Sequence, residues 1–338
     1  MADIRDVAKR AGVAPITVSR CINNSGYVSP ETRARVEAAV AELGFVPNRL
    51  ASGLRSKRRN TLALVLTDIT NPYFTTIARG VEDTASEAGY AVIFGNTDES
   101  PAKEKMYLQM LLEQRVDGIL LVPALSERDS VAFIKKQGTP IVVLDRRVPN
   151  LRTDVVRCDS EEGAYQLTRL LLELGHRDIA ILNGPAGVST ADDRLKGYRK
   201  ALDEAGVAKQ AVREFQGEFR QESGIEMTHR ALAAAPRPTA LFASNNFIAF
   251  GALKALQELG LRVPEDMAVV GFDDLPSALV TFPFLTVAAQ PAYEMGKAAT
   301  EILLKRLSGE ASNRYRELVL PAEIVIRQSS GRARTNIH

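Results

Sequence analysis

The chain is poor in the groups that most often carry chemistry. Its only two cysteines, Cys21 and Cys158, stand far apart without a partner motif. That spacing excludes a disulfide framework and a thiolate zinc site, and leaves two reduced thiols in apolar surroundings. The three histidines, His176, His229 and His338, are scattered at neither metal-ligand nor catalytic spacing, so no metal is expected. Gly184 and Gly187 miss both the Walker and the dinucleotide-binding spacing, and no nucleophile is visible beside a base. There is no solenoid repeat and no low-complexity tract. No apolar run reaches membrane-spanning length, and the opening stretch, Met1 to Gly12, is charged and helix-patterned rather than leader-like. A cytoplasmic protein without a membrane partner is expected.

What remains is an ordinary globular composition, 45% hydrophobic and 25% charged, over 338 residues, enough for two or three domains. The net charge of +2 hides an asymmetry, since residues 1–60 carry a balance of +6 and the rest −4. A basic amino-terminal module on a mildly acidic body points to a polyanionic partner for the module alone.

Ile4, Val7, Ala8 and Ala11 recur at helical spacing, and Gly12 stops that first helix. Pro15 suits the first position of a second helix. Val18, Cys21 and Ile22 form its buried face, leaving Pro15, Ile16, Ser19, Arg20 and Asn23 outward. Ser29-Pro30-Glu31 is a cap, a proline and a first-turn acid for a third helix with Val36, Ala39, Val40 and Leu43 as its stripe, ended by Gly44. Two helices joined by a short turn and braced by a third make a helix-turn-helix, although a small bundle for protein contacts has the same pattern.

Asp6-Val7-Ala8-Lys9-Arg10-Ala11-Gly12-Val13, Thr17-Val18-Ser19-Arg20, Val28-Ser29 and Pro47-Asn48 occur in order at a family spacing. On these residues the chain resembles the lactose-repressor (LacI/GalR) family of bacterial transcription factors. The resemblance implies that Pro15, Ile16 and Arg20 read operator bases in double-stranded DNA while Thr17 and Ser19 contact phosphates. Chemistry agrees for Arg20, which can bond a guanine bidentately. Ala14 stands where the family usually has Ser, and that lost cap costs about 1 kcal/mol.

Asn48 to Leu54 can form barely two helical turns, too short to persist alone in water, and Gly53 weakens it further. The resemblance makes this a hinge helix, with Ala51 at a helix crossing and Leu54 as a wedge in the minor groove. Arg55, Lys57, Arg58 and Arg59 follow and are read as phosphate contacts, against the alternative of a solvated linker. The DNA-facing set is therefore Pro15, Ile16, Thr17, Ser19, Arg20, Asn23, Asn48, Ala51, Leu54 and Arg55.

From Thr61 short apolar strands alternate with helical stretches, the signature of α/β lobes with parallel sheets covered on both faces. Strands are expected at 62–66, 91–95, 118–122 and 141–144, then at 179–182, 240–243 and 268–272. Helices are expected at 73–88, 103–113, 161–174, 194–205, 247–259 and 293–307. Ligands bind outside the carboxyl ends of such strands. The residues there are Asp68, Asn71, Asn96, Asp145, Arg146, Asn183, Ser244, Asn245, Asp273 and Asp274, with Tyr73 and Phe74 beside them. Carboxylates, amides and guanidinium around aromatic rings suit a polyhydroxylated ligand, though Asp and Asn at helix starts also serve as caps.

Thr70 to Phe74, Leu144-Asp145-Arg146, Leu174-Gly175-His176, Arg194 with Gly197-Tyr198, and Gly271 to Asp274 extend the family resemblance over nearly the whole chain. It implies a periplasmic-binding-protein-like core of two doubly wound lobes, crossed by three strands and closing on a small-molecule effector. The expected contacts are Tyr73, Phe74, Asp145, Arg146, Arg194, Asn245 and Asp273, with no cofactor. Asn246 replaces a commoner acid, and Arg147 adds a cation beside Arg146. Both make the pocket less negative, which suggests a sugar acid or phosphate, or else a neutral pentose.

The implied layout is a helix-turn-helix domain over 1–47 and a hinge and linker over 48–60. One effector lobe spans 61–161 with 291–323, the other 162–290 with 324–338. A homodimer on a near-palindrome is expected from geometry, and the polar tail after Arg327 lacks the heptads of a tetramerising coil. Three functions compete. A regulator of repressor type, favoured by the basic head, comes first; a transport binding protein and a sugar-modifying enzyme follow.

Overall fold

The computed structural model describes residues 2–23, 25–46, 59–208, 212–276, 283–312 and 314–331. The expected hinge at 48–54, Arg55, Lys57, Arg58 and the end of the tail lie outside them. The chain divides into two compact units, Met1–Arg59 and Asn60–His338.

The first unit contains α1 (Ile4–Ala11), α2 (Pro15–Ile22) and α3 (Pro30–Leu43) around Val7, Ala8, Val18, Cys21, Val36 and Ala39. Asp3 and Asp6 close a reciprocal capping box on α1, and Ser29 Oγ accepts from the Thr32 amide at 3.3 Å at the start of α3. Gly12 (φ 65°) and Gly44 (φ 56°) end their helices in the left-handed region, which a side chain would strain. Between these capped neighbours α2 starts at Ala14 without any side-chain cap. Ala14→Ser is therefore expected to stabilise this unit by about 1 kcal/mol, read as greater amide-exchange protection of the first turn of α2. Unchanged protection there would mean that the missing cap is compensated.

The second unit holds two six-stranded sheets. The first runs β11-β5-β4-β3-β1-β2, with β1 (Thr61–Leu66), β2 (Ala91–Asn96), β3 (Gly118–Leu121), β4 (Ile141–Leu144), β5 (Asp154–Cys158) and β11 (Glu317–Leu320), all parallel. The second runs β12-β10-β9-β8-β6-β7, with β6 (Ile179–Asn183), β7 (Arg213–Gln216), β8 (Ala240–Ala243), β9 (Ala268–Phe272), β10 (Thr286–Ala289) and β12 (Glu323–Val325). Among the described strands only β12 pairs antiparallel. Central strands such as β1 and β9 are apolar and buried along nearly their whole length because helices cover both faces.

The covering helices are α4 (Pro72–Glu87), α5 (Pro101–Glu113), α6 (Asp129–Lys136), α7 (Ser160–Glu173), α8 (Ser189–Glu204), α9 (Gln221–Leu232), α10 (Asn246–Glu258) and α11 (Ala292–Ser308). Close helix crossings are made possible by glycine: a Cβ at Gly80 on α4 would overlap the Tyr293 carbonyl oxygen of α11, and one at Gly296 the Ile77 carbonyl oxygen. The chain passes between the two sheets three times, after β5, after β10 and after β11. The seven strands and six helices expected from sequence are present with ends shifted by a few residues, and β5, β7, β10, β11, β12, α6 and α9 are additional.

The start of the polar tail is docked rather than free. Ser329 and Ser330 are fully buried, with Ser329 Oγ donating to the Val269 carbonyl at 2.6 Å and accepting from the Thr286 amide at 2.7 Å. Satisfied hydroxyls allow these residues to enter the second lobe despite their polarity.

Candidate effector cleft and DNA-reading helix

Both sheets place β1 or β6 between neighbours that leave in opposite directions, and such switch points leave a crevice at the strands' carboxyl ends. The two crevices face one another across a cleft of about 490 Å³. All seven expected effector residues line it, together with Asp68, Thr70, Asn71, Asp98, Glu99, Thr190, Phe219, Arg220, Gln221, Glu222, Phe247 and Gln290. Asn96, Asn183, Ser244 and Asp274, also at strand ends, do not line it. Asn96 instead accepts from the Ile69 amide, Asn183 donates to the Ala191 carbonyl, and Asp274 pairs with Arg327 at 2.6 Å.

Asp145 directly follows β4 and Asp273 directly follows β9, and both adopt left-handed backbone, φ 64° and 69°. Non-glycine residues held there store strain of about 1–3 kcal/mol each, a pattern concentrated at functional sites. Each is over-determined by a strand bond, Asp145 N to Val156 O at 2.9 Å and Asp273 N to Ala288 O at 3.0 Å. The carboxylates thus enter the cleft from opposite lobes in matching geometry. Tyr73 Oη donates to Asp145 Oδ1 at 2.7 Å, and Gln290 Nε2 donates to Asp273 Oδ1 at 2.5 Å. Burial raises the Asp273 carboxyl, against the opposing pull of the Arg194 guanidinium and the Gln290 bond. Burial and Asp145 raise the Tyr73 phenol well above its ordinary value.

Arg194, on the first half of α8, lies 4.1 Å over the Phe272 ring and donates from Nη1 to the Ser244 carbonyl at 2.6 Å. Among the described residues, Arg194 Nε and Arg146 Nε, both on cleft-lining side chains, are buried without a hydrogen-bond partner, Arg146 Nε lying 3.9 Å from Asp145 Oδ2. Unpartnered donors on residues that line a cleft are groups a polar ligand can satisfy when the side chains adjust to it. Asn245 accepts from the Ile248 amide at 2.8 Å and also lines the cleft, so its capping and ligand-facing roles coexist.

Two sequence expectations are corrected. Arg147 does not add a cation to the cleft: it lines a separate depression with Ser126 and Ser189, pairs with Asp193, and its amide donates to Ser189 Oγ at 2.8 Å. Asn246 does not line the cleft either. Its amide exchanges two hydrogen bonds with Asn71 of the opposite lobe, at 2.9 and 3.1 Å. The cleft is acid-rich, with Asp68, Asp98, Glu99, Asp145, Glu222 and Asp273 against Arg146, Arg194 and Arg220. Its charge therefore gives no basis for an acidic effector.

Gln290 and Phe219 escape the sequence reading because β10 and β7 do not stand out as strands; each residue follows one, under the same rule that finds Asp145. Cys158 is buried, and desolvation pushes its thiol up to about 12, far from reactive.

On α2 the residues Pro15, Ile16 and Arg20 are exposed, as is Asn23 at its C-cap, and Thr17 and Ser19 are half-buried. Asn23 Nδ2 donates to the Ser19 carbonyl at 2.9 Å and to its Oγ at 3.2 Å, so two expected DNA contacts are bonded to each other. The Arg20 side chain lies beside Gly26, whose backbone is left-handed at φ 82°. Tyr27, just beyond, is 87% exposed and carries no signal in the sequence pattern. Asn48, Ala51, Leu54 and Arg55 lie outside the described residues. No helix among the described residues is long and apolar enough to cross a membrane.

Residues 3–48 match the family described as bacterial regulatory proteins, lacI family, and residues 168–330 match a periplasmic binding protein-like domain. The chain is 36% identical over 330 residues to the HTH-type transcriptional repressor PurR of Photobacterium profundum, covering 97% of this chain and 98% of that one. Among solved structures it is similar to the Lac repressor dimer bound to operator and the anti-inducer ONPF, at TM-score 0.85 and 29% identity, covering 97% of this chain and 99% of that one. It is also similar to a LacI family transcriptional regulator from Enterococcus faecium with bound ribose, at TM-score 0.73 and 30% identity, covering 81% and 99%.

Proposed function

The chain belongs to the LacI family of bacterial regulatory proteins, and from that premise we propose a cytoplasmic transcriptional repressor whose hold on operator DNA is set by a neutral sugar in the cleft. It is a DNA-binding regulator rather than an enzyme. One observation carries the reading: an acid-rich cleft with unsatisfied buried donors sits on the same chain as a helix-turn-helix whose second helix exposes Pro15, Ile16 and Arg20. The Enterococcus relative's ribose supports a sugar-sized polyol, and each hydroxyl can donate to Asp145 or Asp273 while accepting from Arg194.

The lobes proposed here follow the three chain crossings, and the hinge at 48–54 links their closure to DNA, so that one bistable element is biased from two sites. Self-association uses Phe94 on the edge strand β2 with Met106 and Met110 on α5, large apolar side chains exposed on neighbouring elements. A dimer then presents two copies of α2 to the halves of a palindrome.

The test is fluorescence anisotropy of the full-length protein on palindromic DNA from its own upstream region, with and without ribose and other neutral sugars. We expect sequence-preferring binding that weakens as salt rises and shifts on sugar addition. A protein that holds a sugar yet shows no sequence preference for DNA would instead be a binding protein of transport type.

A further inference from the structure

Arg146 is the most deeply buried cation of the cleft, 1% exposed, and its terminal nitrogens are already occupied. Nη1 donates to Glu99 Oε2 at 2.6 Å and to the carbonyls of Pro123 and Ala124 at 2.8 and 2.6 Å. Nη2 donates to Glu99 Oε1 at 2.6 Å. This two-pronged pairing is the geometry by which a guanidinium would otherwise grip a ligand carboxylate or phosphate. Glu99 arrives from the loop after β2, where both Asp98 (φ 51°) and Glu99 (φ 59°) are left-handed. The Glu99 amide is held by the Thr67 carbonyl at 3.2 Å, so the strained loop delivers the carboxylate to one place. Behind it, buried Glu104 accepts from the Ala124 amide at 2.6 Å and fixes the carbonyl that Arg146 uses.

We propose that Glu99 is a specificity-determining residue of the cleft: by occupying Arg146 bidentately it withdraws the most deeply buried of the cleft's three cations from an acidic ligand and favours neutral polyhydroxylated ligands. The inference rests on reading the cleft as the effector site. An anionic ligand that pairs with Arg146 would have to displace Glu99 and leave a carboxylate beside Asp145, a like-charge arrangement in a poorly solvated space. A neutral sugar meets no such barrier and can donate its hydroxyls to the cleft-lining carboxylates Asp145 and Asp273.

Glu99→Gln keeps the side chain's shape and removes its charge. Thermal melting of the full-length protein is titrated with sulfate against chloride at equal ionic strength, and calorimetry compares ribonate with ribose. Wild-type protein is expected to show no stabilisation by sulfate beyond chloride and to reject ribonate. Glu99→Gln is expected to bind sulfate and ribonate roughly tenfold or more tightly than wild type, an effect lost in the double variant with Arg146→Met. Anion affinity that is unchanged in Glu99→Gln overturns the proposal. Should that variant not fold, wild-type protein decides alone: protection by sulfate, or ribonate binding as tight as ribose, overturns it, and exclusion of both upholds it. Failure of the cleft reading looks different, because then ribose and other neutral sugars bind neither protein, whatever the anions do.

Discussion

Arg194→Ala is expected to abolish the effect of sugar on operator binding while leaving operator affinity without sugar nearly unchanged. The guanidinium holds the Ser244 carbonyl at 2.6 Å and the face of Phe272 at 4.1 Å, and the residue lines the cleft with its Nε unpartnered. Removing it deletes the donor that faces a ligand hydroxyl, and hydrogen bonds to a charged group contribute about 1.5–3 kcal/mol each. It also strips Asp273 of the cation that opposes its desolvation, so that carboxyl rises further and accepts less well from a sugar. The two losses act together, and sugar affinity should fall by roughly a hundredfold or more. Calorimetry with the sugar that shifts the wild-type anisotropy checks the first half, and anisotropy of the variant on the same DNA checks the second. A variant that still responds fully would place the effector elsewhere. Arg194→Lys is the informative control, since an ammonium cannot both stack on Phe272 and reach Ser244 in the guanidinium's planar geometry.

The residues of this cleft differ in how far they can be read from sequence, for a physical reason. Asp145 and Asp273 follow strands whose apolar runs are unmistakable, and the rule that ligands lie at carboxyl ends then places them. Gln290 and Phe219 obey the same rule, but β7 alternates exposed and half-buried positions and β10, Thr286-Val287-Ala288-Ala289, carries a single bulky apolar side chain, so neither stands out as an apolar run in the sequence. Arg147 and Asn246 adjoin residues of the cleft in sequence, which is why the sequence alone assigns them to it. At a strand end, though, successive side chains diverge, and each of these two turns to a partner more than forty residues away in sequence, Asp193 and Asn71. Glu99 belongs to the same class: nothing local marks a glutamate in left-handed backbone as the partner of Arg146. Pairings across the chain set the charge of the cleft, and those pairings are a property of the closed fold.

The amino-terminal unit carries the other large effect. Arg20→Ala is expected to weaken specific DNA binding by about 1–3 kcal/mol and to relax preference at one base pair of each half-site. The exposed face of α2 explains the size. Pro15 and Ile16 can offer only apolar contact, and the Asn23 amide is tied to Ser19, which leaves Arg20 as the long, exposed donor of that face. A phosphate contact would behave otherwise. Its loss weakens binding evenly across sequences and lowers the salt dependence by about one ion, whereas loss of a base contact changes the ranking of sequences and leaves the slope nearly intact. Anisotropy over operators varied one base pair at a time, each at several salt concentrations, separates these outcomes. If Arg20→Ala weakens every sequence equally, Arg20 positions the helix rather than reads the base. The specificity of α2 would then have to come from the apolar side chains of Pro15 and Ile16 alone.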